Sequence, residues 1–181
     1  FGDSSQIPTF LVSELARRQV TVALSGDGGD EMFGGYNRYF VATRLWSLLG
    51  RVPAPLRQQV ARGIRGVPPS LWGGVIGTAQ QLLPRLRRVA HPGDRMHKLA
   101  DTLAVRSGGE MYRRLVSHWH EPASLVVGGH EPEPAWGGTA FDRMHGGLLE
   151  RMMYLDARTY LPDDIMVKVD RATMAVSLES R

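Results

Sequence analysis

Apolar positions recur at helical spacing along most of this chain, and one short stretch is typical of a β-strand. That stretch, residues 20–24, is apolar apart from one threonine and rich in β-branched side chains. A helix is predicted just before it, over Ile7 to Ala16, because Pro8 suits a first helical turn and Asp3 with the serines after it supplies caps. A helix, a tight link and a strand in succession are typical of a parallel α/β sheet.

Beyond the strand the pattern stays helical, and prolines mark the breaks between segments. The apolar spacing predicts further helices over residues 36–49, 54–64, 70–86, 94–105 and 109–119. Residues 121–139 are rich in proline and glycine, which predicts a long exposed loop. The fold class expected from this pattern is α/β, mostly helical after the first strand.

A last helix is predicted within residues 159–181. Pro162 suits its first turn, and the two aspartates that follow place negative charge at the positive end of the helix dipole. Apolar residues fall on two sides of this helix, which indicates burial around most of its circumference. A charged row, Asp164, Lys168 and Arg171, runs between them at i, i+4 and i+7. Because buried charges need partners, the row predicts an internal ion-pair ladder, a direct contact with a ligand, or both.

Residues 24–36, directly after the strand, hold the most distinctive chemistry of the chain. The sequence Leu-Ser-Gly-Asp-Gly-Gly-Asp-Glu-Met-Phe-Gly-Gly-Tyr combines glycines with three carboxylates. Glycines in a turn between strand and helix leave backbone N–H groups that face an anion, but Asp27, Asp30 and Glu31 would repel bare phosphate. These acids are therefore expected beside a divalent cation or a positively charged substrate group. An acidic surface turn without a ligand is the alternative interpretation.

Better-known glycine motifs do not fit this loop. A Walker A loop requires Gly-Lys-Ser/Thr after the glycines, and no such sequence follows. The dinucleotide-binding pattern starts at Gly26 and Gly28 but meets Glu31 where its third glycine belongs. An EF-hand that starts at Asp27 would have Met32 in place of its invariant glycine.

Composition allows a domain with a core of its own. The chain has 181 residues, 43% of them hydrophobic, and no cysteine, so disulfides and thiolate metal sites are excluded. No apolar run approaches the roughly 20 residues that span a bilayer, and no membrane partner is expected. The chain starts at Phe1 without methionine and ends in a segment with a helical pattern, which indicates a piece of a longer protein.

Basic residues are concentrated in residues 51–100, where nine of them face a single acid, Asp94. A surface for phosphate-rich partners such as RNA is one interpretation. The aromatic content of this region is Trp72 alone, so stacking platforms for bases are missing and nucleic acid is not the favoured partner. Arginine makes up 20 of the 22 basic residues in the chain, which also fits a GC-rich coding bias.

Three segments, in order, resemble one enzyme family. They are Ser25 to Tyr36, Tyr160 to Asp164 and Lys168 to Ala175, and Asp3 to Thr9 is similar to the stretch before the loop. Together they resemble the synthetase domain of glutamine-hydrolysing asparagine synthetases and reach nearly from end to end, although residues 50–140 carry no signature of that family. The resemblance implies an ATP-pyrophosphatase-type (adenine nucleotide α-hydrolase-like) fold, present as a partial domain over residues 1–181.

The resemblance also implies an activity, that of an ATP-dependent carbon–nitrogen ligase. Aspartate is adenylated on its side-chain carboxylate, and ammonia then displaces AMP to give asparagine. The ammonia comes from glutamine, through an N-terminal glutaminase domain in the same polypeptide. ATP and Mg²⁺ are the implied cofactors, the cytoplasm is the implied location, and a homodimer is left open.

The motif of the family implies which residues of the loop meet the nucleotide. Ser25 and Gly26 match contacts to ATP. The backbone N–H groups of Gly28 and Gly29 are expected to face developing negative charge.

The acids and the last helix carry the remaining implied roles. Asp27 matches a catalytic acid, often glutamate in the family, that acts on the β-aspartyl-AMP intermediate. Asp30 matches an acid that holds Mg²⁺. The residues expected in the substrate cleft are Glu31, Lys168, Asp170 and Arg171.

Several parts of the family's machinery do not occur in this sequence. The pyrophosphate loop Ser-Gly-Gly-x-Asp-Ser is absent and is expected upstream of Phe1, as is the nucleophilic cysteine of the glutaminase domain. A catalytic lysine is expected beyond Arg181. We therefore expect the chain alone to be inactive and to bind ATP weakly or not at all.

Two alternatives remain beside an asparagine synthetase. A relative that adenylates another carboxylate, as in β-lactam synthetases or the amidotransferase-like enzymes of polysaccharide clusters, is compatible with the short side chain of Asp27. A helical interaction module without catalysis would instead bind polyanions through residues 51–98.

Overall fold

The structure is a computed structural model that describes residues 3–72, 74, 76, 92–117, 119, 122–132 and 140–181. It divides into two compact units, the first formed by Phe1–Val41 with His145–Arg181 and the second by Ala42–Met144. In chain order the described elements are α1 (Gln6–Arg17), β1 (Val22–Ala23), α2 (Gly29–Phe33), α3 (Asn37–Leu49), α4 (Ala54–Arg65), α5 (Pro92–Ala104), α6 (Gly108–Val116), a 3₁₀ turn (Pro122–Leu125), α7 (Ala140–Arg143), α8 (Leu148–Arg158), a π-helical segment (Leu161–Met166), α9 (Val167–Met174) and β2 (Glu179–Ser180).

The first unit contains a short parallel sheet made by β1 and β2, with Val22 opposite Glu179. The pairing continues past the strands, because the Ser25 N–H donates to the Arg181 carbonyl oxygen at 2.8 Å. The strand predicted over residues 20–24 is thus confirmed at its centre. A mostly helical α/β chain with a short sheet agrees with the predicted fold class.

The helix predicted before the strand is α1, and it packs against α9. Just before its first turn, Asp3 Oδ1 accepts the Ser5 N–H at 2.8 Å, whereas Ser5, the N-cap residue, makes no side-chain capping hydrogen bond. The buried apolar residues of the first unit come from α3, α8, α9 and the segment before β2. They are Tyr39, Met152, Leu155, Ala172 and Leu178.

The C-terminal helical segment is longer than predicted and less buried. It starts with α8, passes through the π-helical segment near whose start Pro162 lies, and ends with α9. Burial around most of the circumference was expected, and that expectation is wrong: Met166 is 53% exposed and Met174 67% exposed. The physical reason is that α9 packs along one side against α1, and Ala172 and Thr173 are its buried residues.

The second unit is built around the packing of α4 on α5. Ala61, Ile64 and Ala100 form its buried cluster. Arg57 is also buried, and its guanidinium donates to the carbonyl oxygens of Leu103 (3.2 Å) and Val105 (2.7 Å). These hydrogen bonds replace the water contacts that the guanidinium loses on burial.

The helices predicted over 54–64 and 94–105 are confirmed as α4 and α5, with bounds that differ by at most two residues. The helix predicted over 109–119 is α6, which ends at Val116. At its start Ser107 Oγ accepts the Glu110 N–H at 3.1 Å, and the Glu110 carboxylate accepts the Arg106 N–H at 2.8 Å. Most of the helix predicted over 70–86 lies outside the described residues. The predicted loop at 121–139 is described only at 122–132, where a 3₁₀ turn is followed by exposed residues.

Within the described ranges, every helix is too short or too polar to cross a membrane.

Candidate functional site

The two segments with the most distinctive sequences lie together in the first unit. Gly28 approaches the side chain of Leu161, to which a Cβ at position 28 would lie 3.4 Å away. The rings of Tyr36 and Tyr160 pack edge to face, with their centroids 6.2 Å apart. The end of the sheet joins the same two segments, so loop 24–36 and segment 159–181 form one candidate site.

The loop is a compact turn that depends on its glycines. Gly28 and Gly34 have φ angles of +88° and +69°, in the left-handed region that favours glycine. The Gly29 N–H donates to the Gly26 carbonyl oxygen at 3.1 Å, inside the turn. Gly29 therefore shapes the loop, and of the two amides expected to face an anion, that of Gly28 makes no hydrogen bond with the described residues.

The residues expected to meet the nucleotide and the metal are on the surface of this turn. Ser25, Gly26, Asp27 and Asp30 are all exposed. The carboxylate of Asp30 lies against Gly35, where an added Cβ would overlap it. The loop thus presents a hydroxyl, a backbone amide and two carboxylates on exposed positions.

Glu31 differs from its two acidic neighbours because its side chain points inward. It is 2% exposed and accepts a hydrogen bond from the Tyr36 hydroxyl at 2.6 Å. Burial, and then the adjacent Glu31 carboxylate, raise the pKa of Tyr36 above its usual value. The Tyr36 proton therefore stays on the hydroxyl, and the bond closes the loop on itself.

Behind the loop, a buried charge cluster joins the start of α3 to α8. Asp156 is fully buried and accepts hydrogen bonds from Arg38 Nη2 (2.7 Å) and the Tyr39 hydroxyl (2.5 Å). The Arg38 guanidinium also stacks over the Tyr36 ring, 4.1 Å from its centroid. Burial alone would lower the pKa of Arg38, but the hydrogen bond and charge of Asp156 outweigh burial and raise it.

Sequence reasoning did not identify this cluster, because Arg38 and Asp156 are 118 positions apart. A signal was nevertheless available. Asp156 follows the apolar residues Met152 and Leu155 at helical spacing, so in a helix it would lie on the apolar face, although no helix was predicted there. An acid in such a position requires a cationic partner.

The predicted charged row on the last helix does not form a ladder. Lys168 pairs with Asp3 instead of Asp164, with 3.2 Å between Nζ and Oδ2, and it also donates to Ser5 Oγ at 2.9 Å. Hydrogen bonds from the Ser5 hydroxyl and N–H, followed by the contact with Lys168, lower the pKa of Asp3 to about 2. Asp3 is therefore ionised at neutral pH.

Asp170 and Arg171, the other two residues predicted for a substrate cleft, are exposed on α9. Neither forms a salt bridge with another described residue. Both side chains are therefore accessible to a ligand without first breaking an ion pair.

The donor chemistry of the loop suits Mg²⁺, although the described residues contain no group of three His, Cys, Asp or Glu side chains that could hold a metal alone. Mg²⁺ is usually held by one or two protein carboxylates together with substrate phosphates and water. Asp27 and Asp30 supply exposed carboxylates of this kind. These carboxylates are oxygen donors of the type that Mg²⁺ prefers.

Comparison with known proteins places the chain in context. The profile of the family described as asparagine synthase matches residues 1–181. Asparagine synthetase 1 (glutamine-hydrolysing) of Bacillus subtilis strain 168 is 29% identical over 183 residues, which cover 99% of this chain and 25% of that protein. A protein of Mycobacterium tuberculosis strain H37Rv, named provisionally as a glutamine-hydrolysing asparagine synthetase, is 30% identical over 181 residues, 99% of this chain and 24% of that protein.

A stronger but shorter similarity is found in Methanocaldococcus jannaschii. Its provisionally named asparagine synthetase 2 (glutamine-hydrolysing) is 53% identical over 57 residues, which cover 32% of this chain and 11% of that protein. The chain spans about a quarter of the length of the Bacillus and Mycobacterium relatives. No solved structure matches the chain at a significant level.

Proposed function

Because this chain belongs to the asparagine synthase family, we propose that the protein carrying it uses ATP to convert aspartate to asparagine. The observation that supports this most directly is the packing of loop 24–36 on segment 159–181 in one unit, which gathers the predicted site residues. The first step forms a bond between the β-carboxylate of aspartate and the α-phosphorus of ATP, and pyrophosphate leaves. In the second step ammonia attacks the acyl carbon, asparagine forms and AMP leaves.

On this proposal the nucleotide lies along the exposed side of the glycine turn. Ser25 and Gly26 contact ATP through the hydroxyl and the backbone. The Gly28 amide donates to a phosphate oxygen, and Gly29 acts by shaping the turn that presents it. On this proposal the turn holds the Gly28 amide in position before substrate binds, so the reaction step does not carry the cost of orienting it.

The carboxylates of the loop divide the remaining tasks. Asp27 lies beside the β-aspartyl-AMP and accepts a proton from the attacking ammonia. Asp30 holds Mg²⁺, which when bound neutralises charge on the phosphates. The fold proposed for the domain is of the ATP-pyrophosphatase type.

The substrate cleft is proposed to run along α9. Lys168 and Arg171 supply positive charge for anionic groups, and Asp170 suits the amino group of aspartate. Glu31 belongs to the cleft as a support, since its carboxylate holds Tyr36 and through it the shape of the loop.

The proposed partner of this unit is a glutaminase domain in the same polypeptide, which supplies ammonia. Ammonium salts should therefore replace glutamine in the reaction.

The test uses the full-length protein with ATP, Mg²⁺, aspartate and glutamine, and measures asparagine, AMP and pyrophosphate. We expect all three products in equal amounts and a loss of about a hundredfold or more in kcat for Asp27→Ala, because catalytic proton transfer contributes on that order. Asp101→Ala, which breaks an exposed pair with Arg65 in the second unit, is the matched control and should retain activity. AMP formed only with a different carboxylic acid would point to the related adenylating enzymes, and no AMP with any acid would overturn the proposal.

A further inference from the structure

Asp3, Ser5 and Lys168 form a closed triangle of hydrogen bonds in the first unit. Lys168 donates to both Asp3 and Ser5, and the Ser5 hydroxyl itself donates to the same oxygen, Asp3 Oδ2. The lysine side chain is only 14% exposed. A lysine has a large rotamer entropy, so a side chain held at two points in this way is unusually well placed for binding.

The triangle leaves one part of Lys168 unused. An ammonium group has three N–H donors, and Asp3 and Ser5 take two of them. The third has no acceptor among the described residues. A donor of this kind is suited to an oxygen of an anionic ligand.

The triangle also adjoins the candidate site. Lys168 is on α9, which directly follows the π-helical segment, and at the start of that segment the Tyr160 ring packs on Tyr36 at the end of the loop. A ligand bound to loop 24–36 would therefore lie next to the segment that leads into α9 and Lys168.

We propose that Asp3 and Ser5 are positioning residues for Lys168, which they hold so that its remaining N–H meets an anionic oxygen of the bound substrate. This inference rests on the proposed function, which places Lys168 in the substrate cleft but gives no role to Asp3 or Ser5. It adds a residue pair from the start of α1 to a site otherwise made by the loop and α9.

A purely structural role for Asp3 can be separated from this one. Through Oδ1, Asp3 also accepts the Ser5 N–H just before α1, and the amide oxygen of asparagine can accept the same hydrogen bond. Asp3→Asn therefore keeps this bond but removes the negative charge from Lys168. Glu14→Gln is the matched control, because Glu14 pairs with Arg18 on the exposed side of the same helix at 4.0 Å.

The experiment is a double-mutant cycle in the full-length protein. AMP formation from ATP and aspartate is measured for Asp3→Asn, Lys168→Met and the double variant, with the thermal unfolding midpoint of each. We expect Asp3→Asn to lower kcat/KM about tenfold, mainly by raising KM for ATP or for aspartate, because Lys168 holds the ground state as well as the transition state. Ser5→Ala should cause a smaller loss, and Glu14→Gln none.

The coupling distinguishes positioning from stability. If Asp3 acts through Lys168, Asp3→Asn has no further effect on kcat/KM in the Lys168→Met background, and the variant stays folded at the assay temperature even though its unfolding midpoint is lowered. Additive losses, or a loss of activity that follows the unfolding midpoint, would overturn the inference. So would normal kinetics for Asp3→Asn in an active enzyme, which leaves the proposed function intact. An unchanged protein that forms no AMP would instead overturn the proposed function, and this inference with it.

Discussion

At the scale of single residues, the glycines of the loop differ in what they contribute. Gly28 and Gly34 adopt positive φ angles, whereas Gly26 does not, and a Cβ at position 26 would have no heavy atom within 4 Å. An L-residue in the left-handed region costs about 1–2 kcal/mol. The backbone conformation therefore requires glycine at positions 28 and 34 but not at position 26.

This difference predicts unequal effects of alanine. Gly28→Ala should destabilise the chain by about 1–2 kcal/mol because of its φ of +88°. Gly26→Ala should change the free energy of unfolding by less than about 0.5 kcal/mol. Urea denaturation of the two variants measures both values, and equal effects would contradict the turn geometry described above.

Asp156 is fully buried in the first unit, where it accepts hydrogen bonds from Arg38 and Tyr39. Removal of one partner of a buried pair costs about 3–5 kcal/mol, because the other charge stays buried.

We predict that Asp156→Ala lowers the free energy of unfolding by about 3 kcal/mol, at the lower end of that range because Arg38 keeps 26% of its exposure. Asp101→Ala, whose partner Arg65 is exposed, should cost less than about 1 kcal/mol. Denaturant titrations compare the two, and a loss for Asp156→Ala no greater than for Asp101→Ala would show that the pair is not structurally important.

At the scale of elements, an ion pair joins α1 and α9 at one end of their contact. Lys168 on α9 holds Asp3 just before α1, and hydrogen bonds from Ser5, followed by this contact, lower the pKa of Asp3. The ordinary pKa of this group is 3.8, above its value of about 2 in the folded chain. The folded state therefore binds fewer protons in this range, and ionised Asp3 favours folding.

The pH dependence follows in sign. The contribution of Asp3 should be complete above about pH 4 and should be lost as the pH falls through about 2. Thermal unfolding of the chain and of Asp3→Asn is compared between pH 2 and pH 5. The readout is the difference in stability between the two proteins at each pH, because the other carboxylates titrate in both. The stability difference should shrink on acidification. A difference that does not change with pH would show that the charge of Asp3 does not contribute to stability.

At the scale of the whole molecule, the chain matches its family along its full length but spans about a quarter of the Bacillus and Mycobacterium relatives. In the candidate site of the first unit, the Gly28 amide makes no hydrogen bond with the described residues, and Ser25 is exposed. The pyrophosphate loop expected from the resemblance does not occur in the sequence.

We therefore predict that the 181-residue chain alone binds ATP weakly, with a Kd above about 1 mM. A Kd of that size corresponds to a binding free energy of only about 4 kcal/mol. Isothermal titration measures this, with the full-length protein as the positive control. Micromolar affinity of the chain alone would show that the loop and α9 suffice for the nucleotide.

Much of the local structure was predictable from the sequence. The spacing of apolar residues predicted α1, α4 and α5 to within a residue or two, and the glycines and acids of loop 24–36 indicated where the distinctive chemistry lies. These features were predictable because helical periodicity, capping and turn preferences act between neighbours a few positions apart.

Tertiary structure alone decided which charges meet. Arg38 and Asp156 are 118 positions apart and Lys168 and Asp3 are 165 apart, so no local pattern links them. Packing also turned Glu31 inward while Asp27 and Asp30 stayed outside, although the three acids are alike in sequence. The sequence by itself determined the elements and the composition of the loop. Which side chains became supports and which remained accessible depended on burial, because a charge taken out of water must find a partner wherever the fold places one.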